Sequence, residues 1–300
     1  MFKNTSRRQF LKTAGATAAI VMLPTLSCAK AQKKPNIVLI MGDDIGYADI
    51  GCYGAEIETP NLDRLAANGL RMTQFYNMAK CNPTRSSLFT GLYKGDERAV
   101  SFVSLLKDAG YTTLHSGKEH FDKWVPERCY TKHTSDHSLT FWASTEYFIP
   151  PSGTFKRPFL LEGKEVDATK LKTKQKPFYK TDVFTDYALD WLDETLEQDK
   201  PFFLALPYHV AHYPLQARPE DIQKYRGAYR RGWDVIRQER FQKQKELGVI
   251  PNNAELSPPE GNINKFRGHP KNSSDEREKF SKYRPWDSLN EKEKDDYDLE

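Results

Sequence analysis

Two apolar runs, each followed at once by polar residues, constrain the fold of this chain most. They are NIVLIM at residues 36–41 and PFFLALPYH at residues 201–209. A strand with one face in water alternates apolar and polar residues, whereas a strand covered on both faces is apolar at almost every position. Burial on both faces is typical of a parallel sheet that lies between helices. We therefore predict that both runs are buried strands of such a sheet.

Segments with helical periodicity alternate with further strand-like segments. Thr59 and Pro60 predict the start of a helix and Gly69 its end, because these residue types favour those positions. Other predicted helices lie in SSLFTG, VSFVSLLKDAG and FTDYALDWLDETL, and other predicted strands in LRMTQFY and YTTLHSG. This alternation predicts an α/β fold with a doubly wound, mostly parallel sheet flanked by helices. Ligands of such sheets gather at the carboxyl ends of the strands.

Two regions depart from the alternation. Residues 122–180 are rich in Pro, Gly, Thr, Lys and aromatic residues without a sustained period, which predicts loops and short strands around a site. Residues 225–300 are strongly charged and predict an insertion, with a helix in RQERFQKQKEL followed by a polar linker. The net charge of +4 comes from 45 basic and 41 acidic residues. A balance this mixed argues against nucleic acid as a partner.

Residues 1–31 have the features of an export signal. Arg7 and Arg8 precede an uncharged, largely apolar segment, and a small-x-small cleavage site ends at Ala31. The apolar segment is too short for a stable membrane span. The arginine pair is similar to the bacterial twin-arginine signal, so we expect cleavage after Ala31 and a periplasmic or secreted protein. An uncleaved anchor and, less well supported, lipid attachment at Cys28 are the alternatives.

The number of cysteines after cleavage is odd. Removal of Cys28 leaves Cys52, Cys81 and Cys129. In an oxidising compartment, an odd number implies that one cysteine is free, paired with another chain or chemically altered.

Two adjacent carboxylates, Asp43 and Asp44, follow the first apolar run. Such a pair is repulsive unless a cation neutralises it, and carboxylate oxygens suit calcium or magnesium better than zinc. The pattern therefore predicts a metal site, and the alternative is a surface turn.

Cys81 stands in the motif Cys81-Asn-Pro-Thr-Arg85. If Pro83 begins a helix, Cys81 lies just before an N-terminus that favours anions, and Arg85 lies one turn further on. A thiol in this position is a candidate nucleophile. The alternative is a small buried residue.

Three basic residues follow two other predicted strands. Lys118 and His120 come at the end of YTTLHSG, and their spacing of two predicts that they point the same way. His212 follows the second apolar run and can serve as an acid or a cationic anchor. The alternative for each of the three, taken alone, is a purely structural role.

These elements occur together, in this order, in one family. The chain resembles the type I, formylglycine-dependent sulfatases of the alkaline phosphatase superfamily, particularly the bacterial arylsulfatase-like branch. The matching segments are PNIVLIMGDDIGYADIGCYG, TPNLDRLAANGLRMTQFY, CNPTRSSLFTG, LLKDAGYTTLHSGKEHF and KPFFLALPYHVAHYPLQ.

The resemblance implies the chemistry of Cys81. A separate maturation enzyme oxidises this cysteine to formylglycine (3-oxoalanine). One hydroxyl of the hydrated aldehyde attacks sulfur, and the second allows sulfate to be expelled, which is covalent catalysis with release. Asp43, Asp44 and residue 81 hold the metal, calcium or, alternatively, magnesium.

The resemblance also implies roles for the basic residues. Arg85 orients the hydrate, and Lys118 contacts the sulfate. His120 hydrogen-bonds the hydrate or accepts its proton, and His212 binds sulfate and helps to protonate the leaving oxygen. His209 is not part of this implied set.

The chain also departs from the family pattern. The family completes its metal site with an Asp-Asn-Gly element, and these 300 residues contain no Asp-Asn pair. The resemblance thus covers the N-terminal portion of a sulfatase, with residues 32–300 as a truncated catalytic domain that lacks the C-terminal part. About half of the metal's protein oxygens would then be present. We expect a chain of these 300 residues to be poorly folded or inactive.

Other interpretations stay open at this point. A phosphate or phosphonate ester hydrolase of the same superfamily is one, and a non-catalytic domain that binds sulfated ligands is another. A disulfide at Cys81 is a weaker third, while conversion of Cys81 leaves Cys52 and Cys129 as a potential pair. The resemblance implies a sulfated small molecule or polysaccharide as substrate, and residues 122–180 are candidates for lining a glycan cleft.

Overall fold

The structure is a computed structural model that describes residues 33–93, 96–121, 125–142, 146–153, 155, 157–257 and 284–299. The predicted export signal, and the polar linker apart from Ser257, lie outside these residues. Contacts divide the chain into units of residues 1–36 and 37–300, and all elements below belong to the second unit. Among the described residues, no helix has the length and apolar character needed to cross a membrane.

A six-stranded sheet organises the second unit. Its strands are β1 (Ile37–Met41), β2 (Thr112–Lys118), β3 (His137–Phe141), β4 (Phe159–Leu161), β5 (Lys164–Val166) and β6 (Phe202–Pro207). Their order across the sheet is β1-β6-β2-β3-β4-β5. The first four strands in this order pair in parallel, and β4 and β5 add antiparallel pairs at one side. The prediction of an α/β fold with a mostly parallel sheet is confirmed.

The α-helices of the described residues are α1 (Pro60–Ala67), α2 (Cys81–Thr90), α3 (Phe102–Asp108), α4 (Thr131–Thr134), α5 (Lys180–Leu196), α6 (Pro219–Tyr225), α7 (Trp233–Glu246) and α8 (Glu291–Leu299). Each predicted helix is present, including the charged one, which is α7. One boundary differs from the prediction in a way that matters for the site. Helix α2 begins at Cys81 itself rather than at Pro83.

Strand β6 is buried on both faces, as its sequence predicts. Phe202, Leu204 and Leu206 pack in one hydrophobic core together with residues of α5. Phe203 and Ala205 point the other way and pack in a second core with residues of α2 and α3. Helices therefore cover both faces of the sheet at β6, and the carboxyl end of this strand is held between two packed layers.

The prediction that β1 is buried on both faces is wrong. Val38 and Ile40 are 52% and 56% exposed, whereas the alternate residues of the strand are partly buried. Among the described strands, β1 lies at the edge of the sheet and pairs only with β6. An apolar run indicates that its side chains favour burial. It does not indicate whether one or both faces of the strand are covered by other elements.

The strand predicted at LRMTQFY, residues 70–76, is also not formed. Two tyrosine hydroxyls bind the backbone of this segment, because Tyr47 donates to the carbonyl of Thr73 and Tyr53 donates to that of Met72. Side-chain donors thus occupy carbonyls that a strand would offer to a neighbouring strand.

Candidate active site

The predicted site residues meet at one edge of the sheet. Strands β1, β6 and β2 are adjacent and parallel, so their carboxyl ends lie side by side. Asp43 follows β1, Lys118 ends β2, and the segment from His209 to His212 follows β6. The backbone joins two of these ends, because the Asp43 N–H donates to the carbonyl of Val210 over 2.8 Å.

A glycine allows β2 and β6 to approach each other closely at this edge. Gly117 has a positive φ of +148°, and a Cβ atom there would lie 2.2 Å from the carbonyl oxygen of Pro207. No side chain larger than hydrogen fits. Gly117 therefore sets the position of Lys118, the next residue.

A buried charge cluster occupies the centre of the site. The Nζ of Lys118 lies 2.5 Å from Oδ2 of Asp43, and Nη2 of Arg85 lies 3.6 Å from the same oxygen. All three side chains are at most 5% exposed. Two cations on one carboxylate leave a net positive charge, which suits an anionic ligand.

Arg85 also ties the strand ends together. Its Nη1 donates to the carbonyl of Lys118 over 2.8 Å, and its Nη2 donates to the carbonyl of Tyr208 over 3.3 Å. Burial lowers the pKa of Arg85, and the negative charges of Asp43 and Cys81 oppose this effect. A guanidinium keeps its charge even when it is buried, so Arg85 is a fixed cation beneath the site.

Cys81 is the first residue of α2 and lies beside His120. The Sγ of Cys81 is 3.4 Å from Nδ1 of His120. His120 has a left-handed backbone with φ of +55°, a conformation that non-glycine residues adopt infrequently. The structure thus brings together the cysteine and the histidine that the sequence placed 39 residues apart.

Glu119 anchors the turn between Lys118 and His120. Its Oε1 accepts hydrogen bonds from the backbone N–H and the hydroxyl of Thr131, over 2.5 and 2.7 Å. Burial raises the pKa of Glu119, and the bonds from Thr131 oppose this effect. With Glu119 held at the start of α4, Lys118 reaches Asp43 and His120 reaches Cys81.

Asp44 differs from its neighbour in exposure and in partner. Its side chain is 63% exposed, against 5% for Asp43, and one of its oxygens lies 3.9 Å from Nε2 of His212. The Nδ1 of His212 lies 2.7 Å from the carbonyl oxygen of Tyr213. A carbonyl can only accept, so Nδ1 carries the proton and donates it, and Nε2 faces the site.

The described residues supply an incomplete set of metal ligands. Asp43 and Asp44 provide carboxylate oxygens and residue 81 a third group, whereas calcium takes about 6–8 oxygens. The ammonium of Lys118 already engages one oxygen of Asp43. Within the described ranges, no cluster of three or more His, Cys, Asp or Glu side chains is placed to hold an ion. The residues present therefore do not fit a complete calcium or magnesium site.

The three described cysteines are free thiols. Cys52 and Cys81 are partly buried, and Cys129 is buried. The Cys129 thiol donates to the carbonyl of Ala99 over 3.2 Å. Neither a disulfide at Cys81 nor a pair between Cys52 and Cys129 is formed in this structure.

Two buried histidines predict sensitivity to acid. Burial, followed by the charge of Arg85, lowers the pKa of His115 to about 3. Burial, followed by the charges of Lys180 and Lys118, lowers that of His209 to about 2. Below pH 6.5 the unfolded chain binds these protons and the folded chain does not, so stability falls as the pH falls. Between pH 7 and 5 we expect each histidine to cost about 2 kcal/mol of unfolding free energy.

Urea unfolding at pH 7, 6 and 5 checks this expectation, with a His209→Phe variant for comparison. The variant should lose about 2 kcal/mol less than the wild type between pH 7 and 5, because one titrating group is gone. Identical pH profiles for wild type and His209→Phe would contradict the depressed pKa.

Sequence comparisons place this geometry in a known family. A family model named Sulfatase matches residues 35–281. Residues 4–24 match the model of the twin-arginine translocation signal, which indicates export. An uncharacterized sulfatase of Schizosaccharomyces pombe is 34% identical, over 76% of this chain and 47% of its own length. An arylsulfatase of Klebsiella aerogenes is 30% identical, over 82% of this chain and 57% of its own.

A solved structure adds support for the fold. The crystal structure of Ps i-CgsB in complex with k-i-k-neocarrahexaose has a TM-score of 0.56 and 28% sequence identity, and the match covers 72% of this chain and 53% of that one. The chain spans about half the length of the curated relatives it matches. Since the Sulfatase model covers most of the chain and the site residues lie together at the strand ends, the chain belongs to the sulfatase family.

Proposed function

We propose that this chain carries the catalytic residues of a sulfate ester hydrolase in which Cys81 is converted to formylglycine. The observation that carries the proposal is the position of Cys81, at the first turn of α2 with Nδ1 of His120 at 3.4 Å. The buried cations Arg85 and Lys118 lie against Asp43 at the same edge of the sheet. A positive site around a modifiable residue suits an anionic ester, because the transition state of sulfuryl transfer spreads negative charge over oxygens.

Formylglycine would supply a hydrated aldehyde, with one hydroxyl to attack sulfur and a second to release the sulfate. His120 is placed to hold or accept a proton at residue 81, since its Nδ1 faces that side chain. Arg85 lies one turn along α2 and contributes a fixed positive charge. These two residues therefore orient residue 81 and stabilise the charge that develops there.

His212 and Lys118 act on the substrate in this proposal. The Nδ1–H of His212 is held by the carbonyl of Tyr213, so Nε2 can donate to the sulfate or pass a proton to the leaving oxygen when it also carries a proton, in the imidazolium form. Lys118 brings an ammonium to the centre of the site, where it can contact a sulfate oxygen. A divalent cation would polarise the sulfate further, with Asp43 and Asp44 among its ligands. The described oxygens are too few for a calcium site, so the roles of His212 and Lys118 are derived without the metal.

The substrate that we propose is a sulfated carbohydrate or a small aryl sulfate. Ps i-CgsB, which shares this fold, binds a neocarrahexaose. The twin-arginine signal supports export, and we infer a periplasmic or secreted location, where sulfated polysaccharides are accessible. A formylglycine-generating enzyme is the implied partner for maturation.

Two other functions are distinguished by experiment. A phosphate or phosphonate ester hydrolase would use the same cations, since both esters present anionic oxygens. A second alternative is a domain that binds sulfated ligands without turnover.

Hydrolysis of nitrophenyl sulfate and nitrophenyl phosphate tests the three functions together. The protein is co-expressed with a maturation enzyme and assayed with calcium and with a chelator. Faster cleavage of the sulfate supports the proposal and would overturn the expectation that a chain of these 300 residues is inactive. Faster cleavage of the phosphate supports the first alternative. No cleavage of either ester by protein whose Cys81 has been converted would overturn the enzymatic proposal in favour of a binding domain.

A further inference from the structure

Three aromatic rings form a continuous stack behind the site. The ring of Tyr147 lies on that of His209, with centroids 4.8 Å apart and an angle of 23° between the planes. The ring of His209 lies in turn on that of His212, at 5.2 Å and 24°. The stack leads from the buried interior to the histidine that faces Asp44. We call Tyr147, His209 and His212 the ring stack.

Hydrogen bonds fix the inner end of the ring stack. The hydroxyl of Tyr147 lies 2.9 Å from the carbonyl oxygen of His209 and 2.8 Å from that of His212, and it donates to both. The backbone of Tyr147 is held on two sides, because its N–H donates to Gln216 and its carbonyl accepts from the N–H of Lys180. Tyr147 is 1% exposed. One buried side chain thus holds both the rings and the backbone of the segment that carries His212.

His209 contributes a ring and not a proton. It is 1% exposed, and within the described residues neither of its ring nitrogens has a hydrogen-bond partner. An acid or base must reach the proton that it transfers, and His209 lies behind His212 with no such contact. Burial and the nearby charge of Lys180 also keep it neutral, since they lower its pKa to about 2. A neutral aromatic face is a suitable platform for a second ring, whether or not that ring is charged.

We propose that His209 is a positioning residue, which holds the imidazole of His212 against the substrate through ring stacking, with Tyr147 as the fixed base of the stack. The functional part of this inference rests on the role of His212 in the proposed function. The positional part, that His209 fixes the orientation of the His212 ring, does not rest on the proposed function. A shift of about 1 Å in a catalytic group can cost about 100-fold in rate, so a fixed platform has a measurable consequence.

The test compares His209→Ala with His209→Phe. Alanine removes the platform, whereas phenylalanine keeps an aromatic face and removes only nitrogens that make no hydrogen bond. In histidine-labelled protein, the ring protons of His212 should show an upfield ring-current shift in wild type and in His209→Phe. That shift should be lost in His209→Ala. Thermal melts identify any variant that does not fold.

Turnover is the second readout. For His209→Ala, we expect kcat for nitrophenyl sulfate per folded molecule to fall about 10- to 100-fold, with a smaller change in KM. His209→Phe should restore kcat to within about threefold of wild type. Tyr147→Phe keeps the ring and loses the two hydrogen bonds, so its kcat should lie between those of the two variants.

The outcomes separate this inference from the proposed function. If the wild type cleaves no sulfate ester, the proposed function fails, and the resonances of His212 still decide whether the ring stack exists. An unchanged His212 shift in folded His209→Ala would overturn the inference, as would a His209→Phe variant that behaves like the alanine variant. Where His209→Ala does not fold, a normal His212 shift and kcat in His209→Phe support the role of the ring, and their loss overturns it.

Discussion

Replacement of Asp43 by Asn is expected to lower the free energy of unfolding by about 3–5 kcal/mol, because it leaves two buried cations without their carboxylate. Lys118 and Arg85 both lie against Asp43, and neither is more than 1% exposed. The amide of Asn keeps the size of the side chain and removes only its charge. Chemical unfolding in the presence of a chelator measures the effect without a contribution from bound metal.

The neighbouring carboxylate is a matched control. The Asp44 side chain is 63% exposed, and one of its oxygens lies 3.9 Å from Nε2 of His212, so Asp44→Asn should change the unfolding free energy by less than about 1 kcal/mol. Both variants remove one charge from the same pair. Equal effects on stability would contradict the assignment of Asp43 as the buried counter-ion of the site.

Replacement of Cys81 by Ala is expected to abolish hydrolysis of nitrophenyl sulfate, with a loss of about 10⁴-fold or more in kcat. The reason is chemical, because alanine cannot become an aldehyde and provides no nucleophile. Cys81 begins α2 but is only partly buried, so the variant should unfold at nearly the temperature of the wild type.

Cys52→Ala is the control for the general effect of removing a thiol. Cys52 lies outside α2, in the short helical turn Gly51–Tyr53, and should be dispensable for turnover. Activity retained by Cys81→Ala, or lost equally in both variants, would contradict the role of residue 81.

The sequence predicts where the site lies better than it predicts how its residues pair. Apolar runs identify β1 and β6, and polar residues directly after them must meet at one edge of a parallel sheet. Asp43, Lys118 and His212 are therefore found by position along the chain. Lys118 pairs with Asp43 through a tertiary contact between residues 75 positions apart, and no local sequence pattern predicts this pairing.

The residues missed by sequence reasoning lie where the pattern is weakest. Tyr147 belongs to the aperiodic region 122–180, and nothing local to it predicts a contact with His209, 62 residues away. No sequence pattern separates the role of His209 from that of His212. The structure does, because His209 is buried and the side chain of His212 is partly exposed. The exposure of β1 also depends on neighbouring layers, which the sequence of one strand cannot specify.

The chemical identity of residue 81 tests the proposed function most directly. Mass spectrometry of the peptide that contains residues 81–85, after co-expression with a formylglycine-generating enzyme, measures it. The side chain of residue 81 is expected to be an aldehyde without sulfur. Arg85→Ala is expected to reduce the conversion, because the resemblance to the sulfatases implies that the maturation enzyme reads the motif Cys81-Asn-Pro-Thr-Arg85. An unmodified Cys81 thiol in the co-expressed wild-type protein would contradict the proposed conversion to formylglycine.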